Sequence, residues 1–168
     1  MESLLCKTAI FSPNRIEILV DKGVSDNVIL TDGNIILYDL DKYDNFIKID
    51  LKGNSTITDA LKLIDNEPLG FTKEMGVNPE LVSGDVDIDL KLDFELKSNL
   101  SPEEIKVEVN GNLKQVEYLG LNDNKTFTAD ELTLHVTDKG FELKGIAKYQ
   151  DIPLNLALNE DFNEKKHK

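Results

Sequence analysis

The stretch GDVDIDLKLDFELKSNL, residues 84–100, leaves the chain very few ways to fold. Val86, Ile88, Leu90, Leu92, Phe94 and Leu96 take every second position, and Asp85, Asp87, Asp89, Lys91, Asp93 and Glu95 fill the positions between them. A period of two is that of a β-strand, whose side chains point alternately to opposite faces. One face of this strand is apolar and the other charged. The three aspartates also share the spacing of the first ligands of a calcium loop. That loop needs glycine at its sixth position and a bidentate glutamate at its twelfth. Counted from Asp85, those positions are Leu90 and Leu96, so no metal site is assigned here.

The same period recurs along most of the chain. Residues 1–54 read as short strands separated by turns. Ile16, Ile18 and Val20 alternate; Val28–Leu30 meets a turn at TDGN (31–34); apolar positions resume over Ile35–Tyr38. DLDKYDN (39–45) is a polar turn, and Ile47, Ile49 and Leu51 alternate up to Gly53. At Ser55 the period changes. Ile57, Ala60, Leu61 and Ile64 fall at i, i+3, i+4 and i+7, the stripe of an amphipathic helix. Thr56 and Asp59 have the spacing of a capping box. A second short helix is predicted over 69–75, closing at Gly76, and Asn78-Pro79 signals a turn.

Beyond Gly84 the pattern is strands to the end. Pro102 interrupts, and Ile105, Val107 and Val109 follow. The apolar phase slips between Leu113 and Val116, which predicts a bulge or a turn near Gly111. Leu132, Leu134 and Val136 are joined to Phe141 and Leu143 through TDKG (137–140), a hairpin connection. Ile152, Leu154, Leu156 and Leu158 form a last strand, which Pro153 places at a sheet edge. An internal echo, IKIDLKGN (47–54) and IKVEVNGN (105–112), is a short and weak sign of repetition. The pattern thus predicts a mainly β fold: an antiparallel sheet with one or two short helices around 56–75, one domain over 1–163, and a charged tail at 164–168. The set Val86, Ile88, Leu90, Leu92, Phe94, Leu96, Ile105, Val107, Val109, Leu132, Leu134, Val136, Phe141 and Leu143 shares the apolar face.

Composition and chemistry narrow the function by exclusion. A net charge of −13 opposes nucleic acid, which needs a basic face, and anionic lipid surfaces. The single Cys6 forms no internal disulfide. As written, the chain shows no export signal and no membrane anchor. His135 lies between Leu134 and Val136 on the polar side of its strand, and His167 lies in the tail. No histidine, cysteine or carboxylate falls into a catalytic constellation, and no glycine fingerprint for phosphate is present. The expectation is a non-enzyme without cofactor.

Two segments carry a family resemblance. NEPLGFTKEMGVNPELVSG (66–84) contributes Pro68-Leu69-Gly70, Gly76, Asn78-Pro79, Val82 and Gly84 opening a long alternating strand. GFELKGIAKYQDIPLNLALNEDF (140–162) contributes Gly140, Phe141, Leu143, Gly145, Ala147, Pro153, Leu154, Glu160 and Phe162. In order and spacing these resemble the AsmA-like envelope proteins, the YhdP-type group of Gram-negative bacteria, over roughly residues 30–163. The resemblance implies a curved, groove-like antiparallel sheet in the cell envelope or periplasm whose apolar face, the set named above, carries phospholipid acyl chains. Family members are much longer and begin with an anchor, so this chain corresponds to a partial-length fragment, as from a split gene. The exposed sheet edges of such a slice are expected to self-associate edge to edge. The alternative is a structural or protein-interaction β domain whose apolar face packs a closed core and binds no lipid.

Overall fold

The structure is a computed structural model and describes residues 3–25, 27–65, 77–121 and 125–162. Alternating sequence forms nine strands: β1 (Ser3–Ser12), β2 (Arg15–Ser25), β3 (Val28–Tyr38), β4 (Phe46–Thr56), β5 (Val82–Glu95), β6 (Lys106–Leu121), β7 (Lys125–Thr137), β8 (Gly140–Tyr149) and β9 (Ile152–Asp161). Among the described residues they make one open antiparallel sheet in sequence order, each strand pairing only with its chain neighbours. One helix, α1 (Ile57–Ile64), follows β4. The mainly β expectation, with a helix after Ser55, is met. The second helix expected over 69–75 lies outside the described residues.

β5 fixes the register at the centre of the sheet. Its charged face meets complementary residues on both sides. Asp93 stands between Lys48 and Lys106, and Lys91 between Asp50 and Glu108. Asp89 stands between Lys52 and Asn110, and Asp87 between Asn54 and Asn112. Cross-strand pairs of opposite charge stabilise a ladder by roughly 0.2–1 kcal/mol each, and like pairs oppose it. A slip of one residue would turn every apolar side chain of β5 outward. This arrangement also accounts for the internal echo: over Lys48–Asn54 and Lys106–Asn112, equivalent positions of the two copies face the same residue of β5. The aspartates that resembled a calcium loop are therefore a pairing code.

The sheet curls around α1. Leu61 of α1 shares a cavity lining with Leu156 and Leu158 of β9. In a flat sheet β9 would lie about 19 Å from β5, four strand spacings away. Bulges supply the bend. The register shifts between Ser83 and Asp85, where Gly84 faces the bulged Gln115, and again between Thr128 and Glu131 beside Gly145. Leu113 and Val116, and likewise Ala129 and Leu132, are three apart, yet all four are buried on one face. The predicted phase slip is real, but it sits at Gln115 and not at a turn near Gly111. Gly84 has φ +122°, and a Cβ there would lie 2.6 Å from the Lys114 carbonyl oxygen.

Other expectations need correction. The strands of the first 54 residues are not short; they run 10–11 residues each. TDGN (31–34) is no turn, because it lies inside β3. Gly33 there answers close packing: a Cβ would lie 2.4 Å from Leu51 Cδ2 on β4. β5 begins at Val82 rather than after Gly84. The polar turn at 39–45, the two-residue hairpin at Asp138-Lys139 and the edge position of β9 agree with expectation.

Candidate functional site

The apolar faces of the strands join into one trough. Row by row, side chains directly opposite one another run across the sheet. Phe11, Ile16, Leu37, Ile47 and Phe94 form one row, and Ala9, Ile18, Ile35, Ile49, Leu92 and Val107 another. Gly33, Leu51, Leu90, Val109, Val136 and Phe141 form a third. A fourth places Gly53 and Gly111 on either side of Ile88 and continues through Leu134, Leu143 and Leu158. The two glycines contribute no side chain to that row.

α1 sits in this trough, and several contacts hold it. The Thr56 hydroxyl oxygen accepts from the Asp59 N–H at 3.1 Å, and the hydroxyl donates to the Asp59 carboxylate at 2.8 Å. The Asn27 amide, in the β2–β3 turn, also donates to that carboxylate at 3.3 Å. Thr58 donates to the Val82 carbonyl at 2.6 Å, fastening α1 to the start of β5. Lys62 pairs with Glu80 at 2.7 Å, within a 3-10 turn at Pro79–Leu81 capped by Asn78. The predicted stripe is the buried side: Ile57 is 4% exposed, and Ala60 and Leu61 pack against the same cluster. Burying an isoleucine side chain stabilises by about 1.5–3 kcal/mol.

α1 covers only the middle of the trough. On one side a cavity of about 300 Å³ opens among Leu30, Leu51, Leu90 and Val109. On the other, a cavity of about 340 Å³ opens among Phe127, Leu143, Leu156 and Leu158. Leu134 and Leu61 border both. The linings are aliphatic and aromatic except for Lys52 in the first, and Tyr118 and Glu160 in the second. Removing apolar surface of this kind from water is worth roughly 25 cal/mol per Å².

Of the predicted lining set, Val86, Ile88, Leu90, Leu92, Phe94, Val107, Val109, Leu132, Leu134, Val136, Phe141 and Leu143 stand together on this face. Two differ. Leu96 lies past the end of β5 and is 43% exposed. Ile105 precedes β6 and is 1% exposed, packed with Val107, Phe162 and Leu100. The β5–β6 connection thus folds over one end of the trough and closes it. Glu104 holds this connection: its carboxylate accepts from the Ser101 N–H at 3.1 Å and the Ser101 hydroxyl at 3.0 Å, and pairs with Lys97. Chiefly through Lys97, and then Ser101, its carboxyl is lowered to about 2. Sequence reasoning omitted the β2–β4 half of the face and the β9 leucines. Their alternation was visible, but only the register shows that they continue the same surface.

The opposite face is mainly polar, with Ile10, Ile36 and Ile146 among its apolar exceptions. His135 Nδ1 lies 2.9 Å from Asn110 Oδ1 on that exposed face, away from the trough. Tyr38 stacks on Phe46 and donates to Asp93 at 2.8 Å. Burial, and then Asp93, pushes its phenol up to about 12. Among the described residues no cluster of three or more histidine, cysteine or acidic side chains is placed to hold a metal. No described helix is long and apolar enough to cross a membrane. No family model, curated protein or solved structure matches the chain.

Proposed function

We propose that the trough holds the acyl chains of a phospholipid, and that the chain is a lipid-binding segment of an AsmA-like transfer groove of the bacterial envelope. One observation carries this reading: the apolar face continues across the sheet, while α1 fills only its middle. The cavities on both sides have the size and apolar lining of small-molecule sites. The charged outer face keeps such a groove soluble without covering its inside. A specific observation favours a second reading. Ile57 of α1 is buried with Val86 and Leu132 of the sheet like ordinary core, which suits an interaction domain whose helix merely caps its sheet.

The test uses protein purified in detergent-free buffer, with native mass spectrometry and solvent extraction reporting bound phospholipid. Leu90→Asp and Leu143→Asp each place a charge at a half-buried position of a different cavity. Under the lipid reading the wild type carries phospholipid, and both variants fold by circular dichroism but lose it, because hydrocarbon cannot solvate the carboxylate. Under the closed-core reading the wild type carries none and both variants unfold, losing several kcal/mol. That second result would sink the proposal.

A further inference from the structure

The two edges of the sheet are unlike. β1 is guarded over part of its length: its register with β2 is irregular between Leu5 and Cys6 and between Cys6 and Thr8, with the exposed Lys7 at this irregularity, whereas residues 8–12 pair regularly, carry no charge and expose Ile10 and Phe11. Bulges and lysines are common devices that stop a free edge from pairing. β9 has few such devices. Its ten pairs with β8 run without a register shift, and residues 152–159 contain no charge. Among the described residues β9 pairs only with β8. Pro153 interrupts the edge near one end only. The edge also exposes apolar side chains, with Ile152 66% and Leu158 44% exposed.

We infer that β9 is the docking edge for a second copy of this chain, β9 against β9 about a two-fold axis normal to the sheet. Strand count selects this arrangement. With nine alternating strands, β1 and β9 run the same way, so a head-to-tail copy would have to pair β9 with β1 in parallel. Two copies of β9 related by a two-fold axis run antiparallel, which makes a closed and self-complementary interface. An axis normal to the sheet also keeps both apolar faces on one side. Residues directly opposite in an antiparallel pair share a face, so the leucines at 154, 156 and 158 meet only their own kind or other trough residues. The trough then runs unbroken from one copy into the other. The charge of −13 per chain opposes this contact through general repulsion, so the dimer should tighten as salt rises.

The test is sedimentation equilibrium from micromolar to sub-millimolar protein. Asn155→Lys/Ala157→Lys puts lysine opposite lysine whether the axis passes residue 155, 156 or 157, while it lowers the general repulsion. The wild type should dimerise, and this variant should weaken the dimer about tenfold or more with unchanged circular dichroism. Thr8→Lys, on the β1 edge, should dimerise as the wild type does. A wild type monomeric throughout overturns the inference. So does a double variant as dimeric as the wild type, or a Thr8→Lys protein that loses the dimer. Should the double variant misfold, amide exchange on the wild type decides. Residues 154–159 should gain protection with concentration while β1 gains none, and concentration-independent exchange in β9 overturns the proposal. None of these readouts involves lipid, so the dimer stands or falls apart from the function proposed above.

Discussion

Glu104 shows how one exposed side chain holds the end of the trough. Its carboxylate gathers Lys97 and Ser101 across the β5–β6 connection, which sets Ile105 over the apolar face. The folded carboxyl titrates at about 2, below its ordinary value of 4.5. A depressed carboxyl contributes stability that is present above the unfolded value and lost as pH falls through the folded one. Glu104→Gln should therefore melt below the wild type at pH 6, and the difference should vanish as pH falls from about 4.5 towards 2. The gap will be small, because the contacts are screened by water. A gap that persists unchanged at pH 2, measured by thermal denaturation, would contradict this role. The residue was invisible as a functional position in the sequence. An acid three residues after Ser101 is common surface chemistry, and only the folded connection reveals what it secures.

At the scale of elements, the bulge at Gly84 and Gln115 does more than bend a strand. It lets Leu113 and Val116 both reach the trough, and so keeps the apolar face continuous where the strands change phase. Gly84→Ala should destabilise by about 2 kcal/mol or more, since alanine at positive φ is strained and its methyl would strike two carbonyl oxygens. Chemical denaturation measures this directly; a loss below about 0.5 kcal/mol, the usual range for a neutral surface change, would show that the bulge relaxes freely. Strands and α1 were legible because their periods, two and 3.6, depend only on neighbouring residues. The exact bulge site was not, because register depends on the partner strand. The β8–β9 turn was hidden for a related reason. Gln150 and Asp151 both take positive φ, yet neither is the glycine or asparagine that announces such a turn. TDGN misled in the opposite direction: its glycine yields space to Leu51 instead of reversing the chain.

The whole molecule is a meander, and that order carries a kinetic meaning. Most hairpins close over short turns, such as the two residues between β7 and β8 or between β8 and β9. Only β4 and β5 meet across a long span, residues 57–81, which includes α1. Closing a loop of that length costs about 2 kcal/mol more than closing a two-residue turn, by the logarithmic scaling of loop entropy. The halves β1–β4 and β5–β9 should zip locally before the seam between them forms. Stopped-flow chevrons can time that event. Leu156→Ala, inside a half that zips first, should slow folding with little change in unfolding, whereas Leu51→Ala, at the seam that closes last, should mainly speed unfolding. The reverse pattern would mean that the seam forms first and the sheet grows outward from it. If the seam closes last, β5 is the strand that waits. Its alternating charges, facing β6 on one side, then serve as the template on which β4 finds its place.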